Sequence, residues 1–336
     1  MRVLVTGGSG FIGSGLIREL GTQGHEVSAL LRPTSPLDQL RGLPFQRITG
    51  DLQDRASLVA AVQGHDWVIH LAGAVTAPNR EGFFRANAQG TENLIEACVE
   101  AHRLHPLQKV VVVSSLAAGG PVASPHPRRE DDGDQPVSYY GESKREGEMR
   151  ARAASTRVPI VVVRPPMVYG PRDRATFLFV KTVQGRVVPV FSSRAADGQK
   201  HYSAIHVEDL CRGLILAAEA PLERVPSGEV FYLSSDETFS FQQMMTTIGA
   251  SLGVRPFFLP VPSVLLQGIA HLLDWMGRWT QKTYPLNRDK LKEIEPDFWT
   301  CSNQKAKKLL GFTPQFNYQT GWEQTVGWYK ENGWIR

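Results

Sequence analysis

Tyr139 and Tyr140 stand ahead of Lys144 in the stretch SYYGESK (138–144), and a tyrosine beside a lysine can move protons. On a helix, residues four apart share a face, so Tyr140 and Lys144 project together while Tyr139 is rotated away. A positive charge about 4 Å from a phenolate, at an effective dielectric near about 20, is worth roughly 4 kcal/mol, or about three pK units below a reference near about 10. That would bring the phenol towards neutral pH, where acid/base work is efficient. Such pairs also arise on ordinary amphipathic helices, so context matters. Ser114 and Ser115, at the end of KVVVVSS (109–115), supply it. A hydroxyl there could bond the substrate oxygen that Tyr140 protonates, or both serines could do no more than satisfy strand-end backbone groups.

VTGGSGFIGSGLIREL places Gly7, Gly10 and Gly13 after a first strand and at the opening of a first helix. Gly7 permits the tight turn, Gly10 lets backbone amides approach a pyrophosphate, and Gly13 allows close helix-to-strand packing, while the helix N-terminus attracts the anion. An acid at the end of the second strand would bond an adenosine ribose and select NAD, but VSALLRPTS ends in Leu31 and Arg32. Arg32 suits a 2′-phosphate through bidentate bonds, so NADP is expected ahead of NAD; otherwise it is a solvated arginine. Asp51, in GDLQD (50–54), is placed either to bond the adenine amino group or to cap the helix that begins near Arg55.

The elements that must carry these residues alternate regularly. Short β-branched runs at 2–6, 25–31, 45–49, 66–71, 109–115 and 159–164 read as strands buried on both faces. Helical patterns lie between them at 11–21, 55–62, 82–101 and 140–154. This order predicts an α/β fold, a Rossmann-type doubly wound parallel sheet with a smaller mixed C-terminal substrate domain. Helices follow near 173–184 and 207–219, then a strand at 229–235, and the Ser and Gln of SFQQ (240–243) fit a capping box. The expected division is an NAD(P)-binding domain over 1–165, with 204–235 packing back on it, and a substrate-binding domain from 166–203 and 236–336.

Bulk properties are those of a folded globular chain: 336 residues, 42% apolar and 21% charged. The net charge of +4 comes from scattered bases, and the densest run, KREGEMRARAASTR (144–157), mixes acids with bases and reads as a solvated helix face. No nucleic-acid partner is expected. Cys98, Cys211 and Cys301 are far apart in sequence and lack ligand spacing, so neither a disulfide framework nor a metal site is indicated, and a cytoplasmic setting is expected. The N-terminus reaches glycines too early for an export signal. The apolar window 261–280 is broken by Gln267, His271, Asp274 and Arg278, too polar to span a membrane, though a surface association is conceivable.

TGGSGFIG, GDL, HLAG (70–73), NAQGTENL (87–94), SS and YGESK (140–144), taken in order, resemble the extended short-chain dehydrogenase/reductases, the superfamily of NAD-dependent epimerases and dehydratases. The resemblance covers nearly the whole chain. It implies that Tyr140 is the acid/base, that Lys144 binds the nicotinamide ribose and lowers the tyrosine's pKa, and that Ser115, with Ser114 second, orients the reacting oxygen. It places Phe11 and Ile12 at the pyrophosphate turn, Asp51 and Leu52 at the adenine, and Leu71, Ala72 and Gly73 along the cofactor's far side. Asn87 would hold the sheet edge near the ribose, with Pro165 and Pro166 against the nicotinamide. Hydride then passes between nicotinamide and a substrate carbon while Tyr140 exchanges the proton. A homodimer is implied on the same ground.

Nucleotide-sugar members resemble RDYIHVxD where this chain has HYSAIHVEDL (201–210), so Tyr202 stands where their arginine binds a phosphate. They also tend to show VYG after the serine, where this chain has AGG (118–120). FWTCSNQKAKKLLGFTPQ (298–315) is similar to the end of 3β-hydroxysteroid dehydrogenases and related reductases. Leu265, Ile269, Leu272, Leu273 and Met276 recur at helical spacing, either as core or beside an apolar cleft. The expectation is an oxidoreductase for a small-molecule secondary alcohol or ketone, apolar or steroid-like; the alternative is a nucleotide-sugar epimerase or dehydratase. His206 and His271 read as capped or solvated.

Overall fold

A computed structural model describes residues 1–262, 267–268 and 287–335. The apolar window expected at 261–280, with its helical stripe from Leu265 to Met276 and His271, lies largely outside the described residues.

Seven parallel strands form the central sheet: β1 (Arg2–Thr6), β2 (Glu26–Leu31), β3 (Gln46–Thr49), β4 (Trp67–His70), β5 (Lys109–Val113), β6 (Ile160–Arg164) and, after three strands outside the sheet, β10 (Glu229–Tyr232). Their order across the sheet is β10-β6-β5-β4-β1-β2-β3. The chain winds one way from β1 to β3 and the other way from β4 onward, so the direction reverses between β1 and β4, where such folds open a ligand crevice at the strands' C-terminal ends.

Two apolar layers clasp this sheet, and period-two alternation divides its side chains between them. Val3, Val5, Val111, Val113, Val161 and Val163 enter one core, with helices α1 (Phe11–Thr22) and α8 (Val207–Glu219). Leu4, Val110, Val112, Ile160 and Val162 enter the other, with α2 (Arg55–Val62), α4 (Gly90–Leu104) and α6 (Tyr139–Ala153). Valine-rich runs suit these doubly covered strands. β3 departs from the expectation: as the edge strand it has no neighbour on one side, and its residues are mostly exposed.

The helical stretch foreseen at 82–101 is a composite. It begins as α3 (Arg80–Phe84), widens into a π-helical turn at Arg85–Gln89, and continues as α4. Phe84 and Gln89 both keep right-handed helical dihedrals, so the run is unbroken. A four-residue helix, α5 (Leu116–Gly119), follows β5.

Beyond β6 the architecture is mixed. β7 (Met167–Tyr169), β9 (His201–His206), β11 (Thr238–Ser240) and β13 (Phe298–Trp299) pair around β9, and β8 (Val187–Phe191) pairs with β12 (Phe257–Val261). Together with α7 (Phe177–Gln184), α9 (Phe241–Leu252) and the helix Tyr318–Glu331, they enclose a separate core around Tyr169, Trp322 and Tyr329. Ser240 and Gln243 form the anticipated capping box at the start of α9. His206 is neither capped nor solvated: its ring is fully buried, 4.0 Å from the ring centre of Phe316. Three arginines of the charged run face acids, Arg145 pairing with Asp134, Arg150 with Glu92 and Glu146, and Arg157 with Glu96, while Arg152 donates to the Gly228 carbonyl.

Candidate active site

A cleft of about 760 Å³ opens where the winding reverses, and Gly7, Gly10, Arg32, Asp51 and Leu52 line one side of it. Leu71, Ala72 and Gly73, just past β4, line the other. Gly7 sits at φ +72°, and a Cβ there would lie 2.7 Å from the backbone nitrogen of Ala72. Gly13 is constrained differently, since its Cβ would lie 2.3 Å from the Gly7 carbonyl oxygen, so α1 can press against the end of β1 only with glycine at that position. Gly10 caps α1 without a side-chain hydrogen bond, and the first turn holds no acid. The leading amides of a twelve-residue helix are therefore left to an anion, a fit to a dinucleotide pyrophosphate. The side chains of Phe11 and Ile12 are partly buried and pack against the core.

Asp51 is released from the capping role that its position also allowed. Asp54 caps α2, accepting from the amides of Ala56 and Ser57, while the Asp51 carboxylate accepts from the Gln53 amide at 2.9 Å and faces the cleft. Arg32 is exposed at the cleft's rim, and its guanidinium is in none of the ion pairs among the described residues.

Ser138 caps α6, and the helix carries Tyr140 and Lys144 towards the ends of β4 and β5. Ser115 caps α5, accepting from the Ala117 amide at 3.1 Å, and also hydrogen-bonds the Tyr140 hydroxyl. The Ser114 hydroxyl is buried beside it without a protein partner. Lys144 is buried, and its Nζ donates to the carbonyl oxygen of Val113 at 2.8 Å.

This arrangement corrects the expected depression of the tyrosine. Burial pushes the Tyr140 phenol up to about 12, outweighing the hydrogen bond from Ser115, and Glu293 adds to the rise. The lysine yields instead: burial lowers its amine to about 8, against support from Glu148. The four-residue spacing aligned the two side chains correctly, but the ammonium is bonded to a strand carbonyl rather than to the phenol.

Asn87 lies in the π-helical turn, 1% exposed, and joins three elements. Its Oδ1 accepts from the Ala74 amide at 2.7 Å, and its Nδ2 donates to the Ala74 carbonyl and to the Ser143 hydroxyl of α6. It thus ties the end of the HLAG turn to α6. From the Asn87 carbonyl a buried chain continues through Thr91 and His70 to Thr6, whose hydroxyl accepts from the Ala72 amide. Pro165 and Pro166 are buried just after β6, where the Pro165 carbonyl accepts from the Leu116 amide at 2.8 Å.

Sequence reasoning missed a buried ion cluster beneath this site. Arg164, at the end of β6, is 2% exposed; its Nε donates to both oxygens of Glu148 at 3.0 Å, its Nη2 to one of them at 2.5 Å, and its Nη1 to Asp134 at 2.7 Å. Glu148 stands four residues after Lys144, so the helical period pointed to it. A second cleft, about 740 Å³, opens along the β10 edge, and two of the four cations on its wall are matched by acids, Arg164 as above and Lys305 with Glu229.

Residues 3–233 match the family described as NAD dependent epimerase/dehydratase family. A ceramide reductase from Caulobacter vibrioides is 31% identical, over 99% of this chain and 96% of its own. A 4-hydroxy-2-methyl-3-oxo-4-farnesyl-3,4-dihydroquinoline-1-oxide ketoreductase from Stigmatella aurantiaca is 29% identical, over 96% of this chain and 94% of its own. Among solved structures, MoeE5 in complex with UDP-glucose and NAD superposes with a TM-score of 0.77 at 25% identity, covering 99% of each chain. No helix among the described residues is long and apolar enough to cross a membrane. With the reversing parallel sheet, the glycine turn and a match across most of its length, the chain belongs to the NAD dependent epimerase/dehydratase family, within the extended short-chain dehydrogenase/reductases.

Proposed function

We propose that this protein is an NAD(P)-dependent oxidoreductase that interconverts a secondary alcohol and a ketone, with apolar substrates favoured and Tyr140 as the acid. The observation that carries this reading is the Tyr140 hydroxyl, kept protonated by burial, bonded to Ser115 and one helical turn from Lys144. A phenol in that form has a proton to give to a ketone oxygen. Ser115 orients that oxygen, and Ser114, with its hydroxyl unengaged by protein, is available as a second donor. When bound, the nicotinamide cofactor supplies the hydride in reduction and takes it in oxidation.

Gly7, Gly10 and the first turn of α1 would hold the pyrophosphate, Asp51 and Leu52 the adenosine, and Leu71, Ala72 and Gly73 the opposite wall. Lys144 would reach the nicotinamide ribose, with Pro165 and Pro166 behind the ring. Arg32, at the rim with no acid at the end of β2, favours NADP over NAD. In the same reading, 1–165 with 204–235 is the nucleotide half, supported by β10 in the sheet and α8 packed on α1, and 166–203 with 236–336 is the substrate half.

Apolarity of the substrate is supported by Tyr202, a half-buried phenol on β9 packed in an aromatic core at the position where nucleotide-sugar relatives carry a phosphate-binding arginine. Relatives named for reducing a ceramide and a farnesyl-bearing ketone point the same way. The second reading, a nucleotide-sugar epimerase or dehydratase, is favoured by the close superposition on a UDP-glucose complex. Tyr140→Phe should abolish turnover while sparing cofactor binding, and Tyr139→Phe should leave the chemistry largely intact. Net change in nicotinamide absorbance with ketones or alcohols supports the reductase; turnover of a UDP- or dTDP-sugar with no net change would replace it. Homodimerisation belongs to this reading too, and light scattering at twice the 37.2 kDa chain mass checks it.

A further inference from the structure

β8 and β12 pair in parallel outside the central sheet, with Phe257 opposite Val187 and Leu259 opposite Pro189. Alternation turns Val188 and Phe258 towards the aromatic core and leaves the four registered residues on the outer face. There Phe257 is 64% exposed, Val187 50% and Leu259 45%. Exposed apolar side chains scattered singly need no explanation, whereas neighbours on one face mark a contact surface.

Charge around this face is of one sign. Lys181, Arg186 and Arg255 are exposed, and none of them is in an ion pair among the described residues. The segments that frame the face, 177–191 and 249–262, hold no Asp or Glu. Arg186 opens β8 at φ +64°, a left-handed conformation that glycine takes at less cost, and its carbonyl accepts from the Phe257 amide at 2.7 Å, so it stands at the joint of the two strands. A second copy of this chain docked face to face would set these cations against one another, with no acid in either segment to separate them.

We propose that the outer face of β8 and β12 docks on a membrane surface with anionic headgroups: Val187, Phe257 and Leu259 enter the acyl boundary while Arg186, Arg255 and Lys181 pair with lipid phosphates. Nothing in this docking requires a membrane span. β8 runs from Val187 to Phe191, about 13 Å along the strand, and Phe191 packs with Leu291 of the helix Arg288–Ile294. That helix adjoins the first turn of α6, where Asp289 accepts from the Tyr139 amide through both carboxylate oxygens, at 3.0 and 3.2 Å. An apolar substrate taken from the bilayer at this face would enter about one strand length from the helix that carries Tyr140. Only this delivery step rests on the reductase reading; the docking does not.

The test uses the full chain and lipid vesicles, without substrate or cofactor. Wild type should co-sediment with vesicles of equal parts phosphatidylcholine and phosphatidylglycerol, less as salt rises, and bind phosphatidylcholine alone weakly. Arg186→Gln with Arg255→Gln should weaken binding to the mixed vesicles about fivefold per charge removed. Phe257→Ser with Leu259→Ser should weaken it at least about tenfold. No wild-type binding to the mixed vesicles, or wild-type binding by either double variant, overturns the proposal. Melting curves and light scattering identify any other cover for the face: the serines should leave the melting temperature within about 2 °C of wild type and the oligomeric state unchanged. A larger fall means that the chain itself covers the face, and a change from dimer to monomer that a second copy does; either result overturns the proposal. A wild type that binds vesicles and reduces no ketone would fail the reductase reading alone.

Discussion

Glu148→Gln keeps the shape of the buried acid on α6 and removes its charge. Arg164, 2% exposed, then faces one amide oxygen and one NH2 group in place of two carboxylate oxygens, and loses the charge that matched its own. Breaking one side of a buried ion pair costs about 3–5 kcal/mol, and because Asp134 still bonds two guanidinium nitrogens, the lower end, about 3 kcal/mol, applies. At about 2.1 cal/mol/K per residue, unfolding a chain of this length carries an entropy near about 0.7 kcal/mol/K, so the melting temperature should fall by about 4 °C. Thermal melts followed by circular dichroism measure this. Asp134→Asn, with its carboxylate at the cluster's rim, should cost less, and Arg164→Met with Glu148→Leu should recover most of the loss, since the one charge left, Asp134, is partly exposed and still faces Arg145. Glu148 also joins α6 to β6, so Glu148→Gln should reduce turnover more than cofactor binding. A fall under about 1 °C, or a double variant less stable than the single one, would refute the account of this cluster as a mutually dependent pair.

For cofactor choice, titrations of NADPH and NADH against wild type and Arg32→Ala should show the variant losing affinity for NADPH selectively; an unchanged preference removes Arg32 from the argument. Lys144 gives a pH dependence of known sign. Its folded pKa of about 8 lies below the ordinary 10.5, so between those values the unfolded chain binds the extra proton and stability should rise with pH across the window. Denaturant melts should show that rise in wild type and not in Lys144→Met, and cofactor affinity should weaken above about pH 8 in wild type alone as the ammonium is lost.

Much of this molecule was readable from its chain because the signals were local. Valine runs on β1, β5 and β6 announce doubly covered strands, Gly7 by its positive φ and Gly13 by its approach to the Gly7 carbonyl are demanded within one turn, and the four-residue period of Tyr140 and Lys144 survives intact in α6. What escaped depends on depth and distance. Whether Lys144 bonds a phenol or a strand carbonyl is decided by how closely α6 settles on β5, which helical period does not encode. The sheet around β9 is built from strands as short as two residues, below the length at which alternation is legible. The grip of Asp289 on Tyr139 spans 150 residues and carries no local mark. RANAQ reads as ordinary α-helix, so the π-helical turn was invisible.

That turn has a consequence for how the gene can vary. The run from Arg80 to Leu104 is one helix with two phases: before the turn its residues answer to the cleft and to Arg80's contacts with α6, after it to the core under β4 and β5. A π-helical turn holds one residue more than an α-helical one, so losing one residue from 85–89 would let the turn close to ordinary α-helix and shift the residues left within it. Asn87 could then no longer face Ala74 and Ser143 while Leu94 and Cys98 stayed in the core. A substitution along this helix changes one side chain, whereas a single-codon deletion within 85–89 changes the joint between its two halves, which Asn87 occupies.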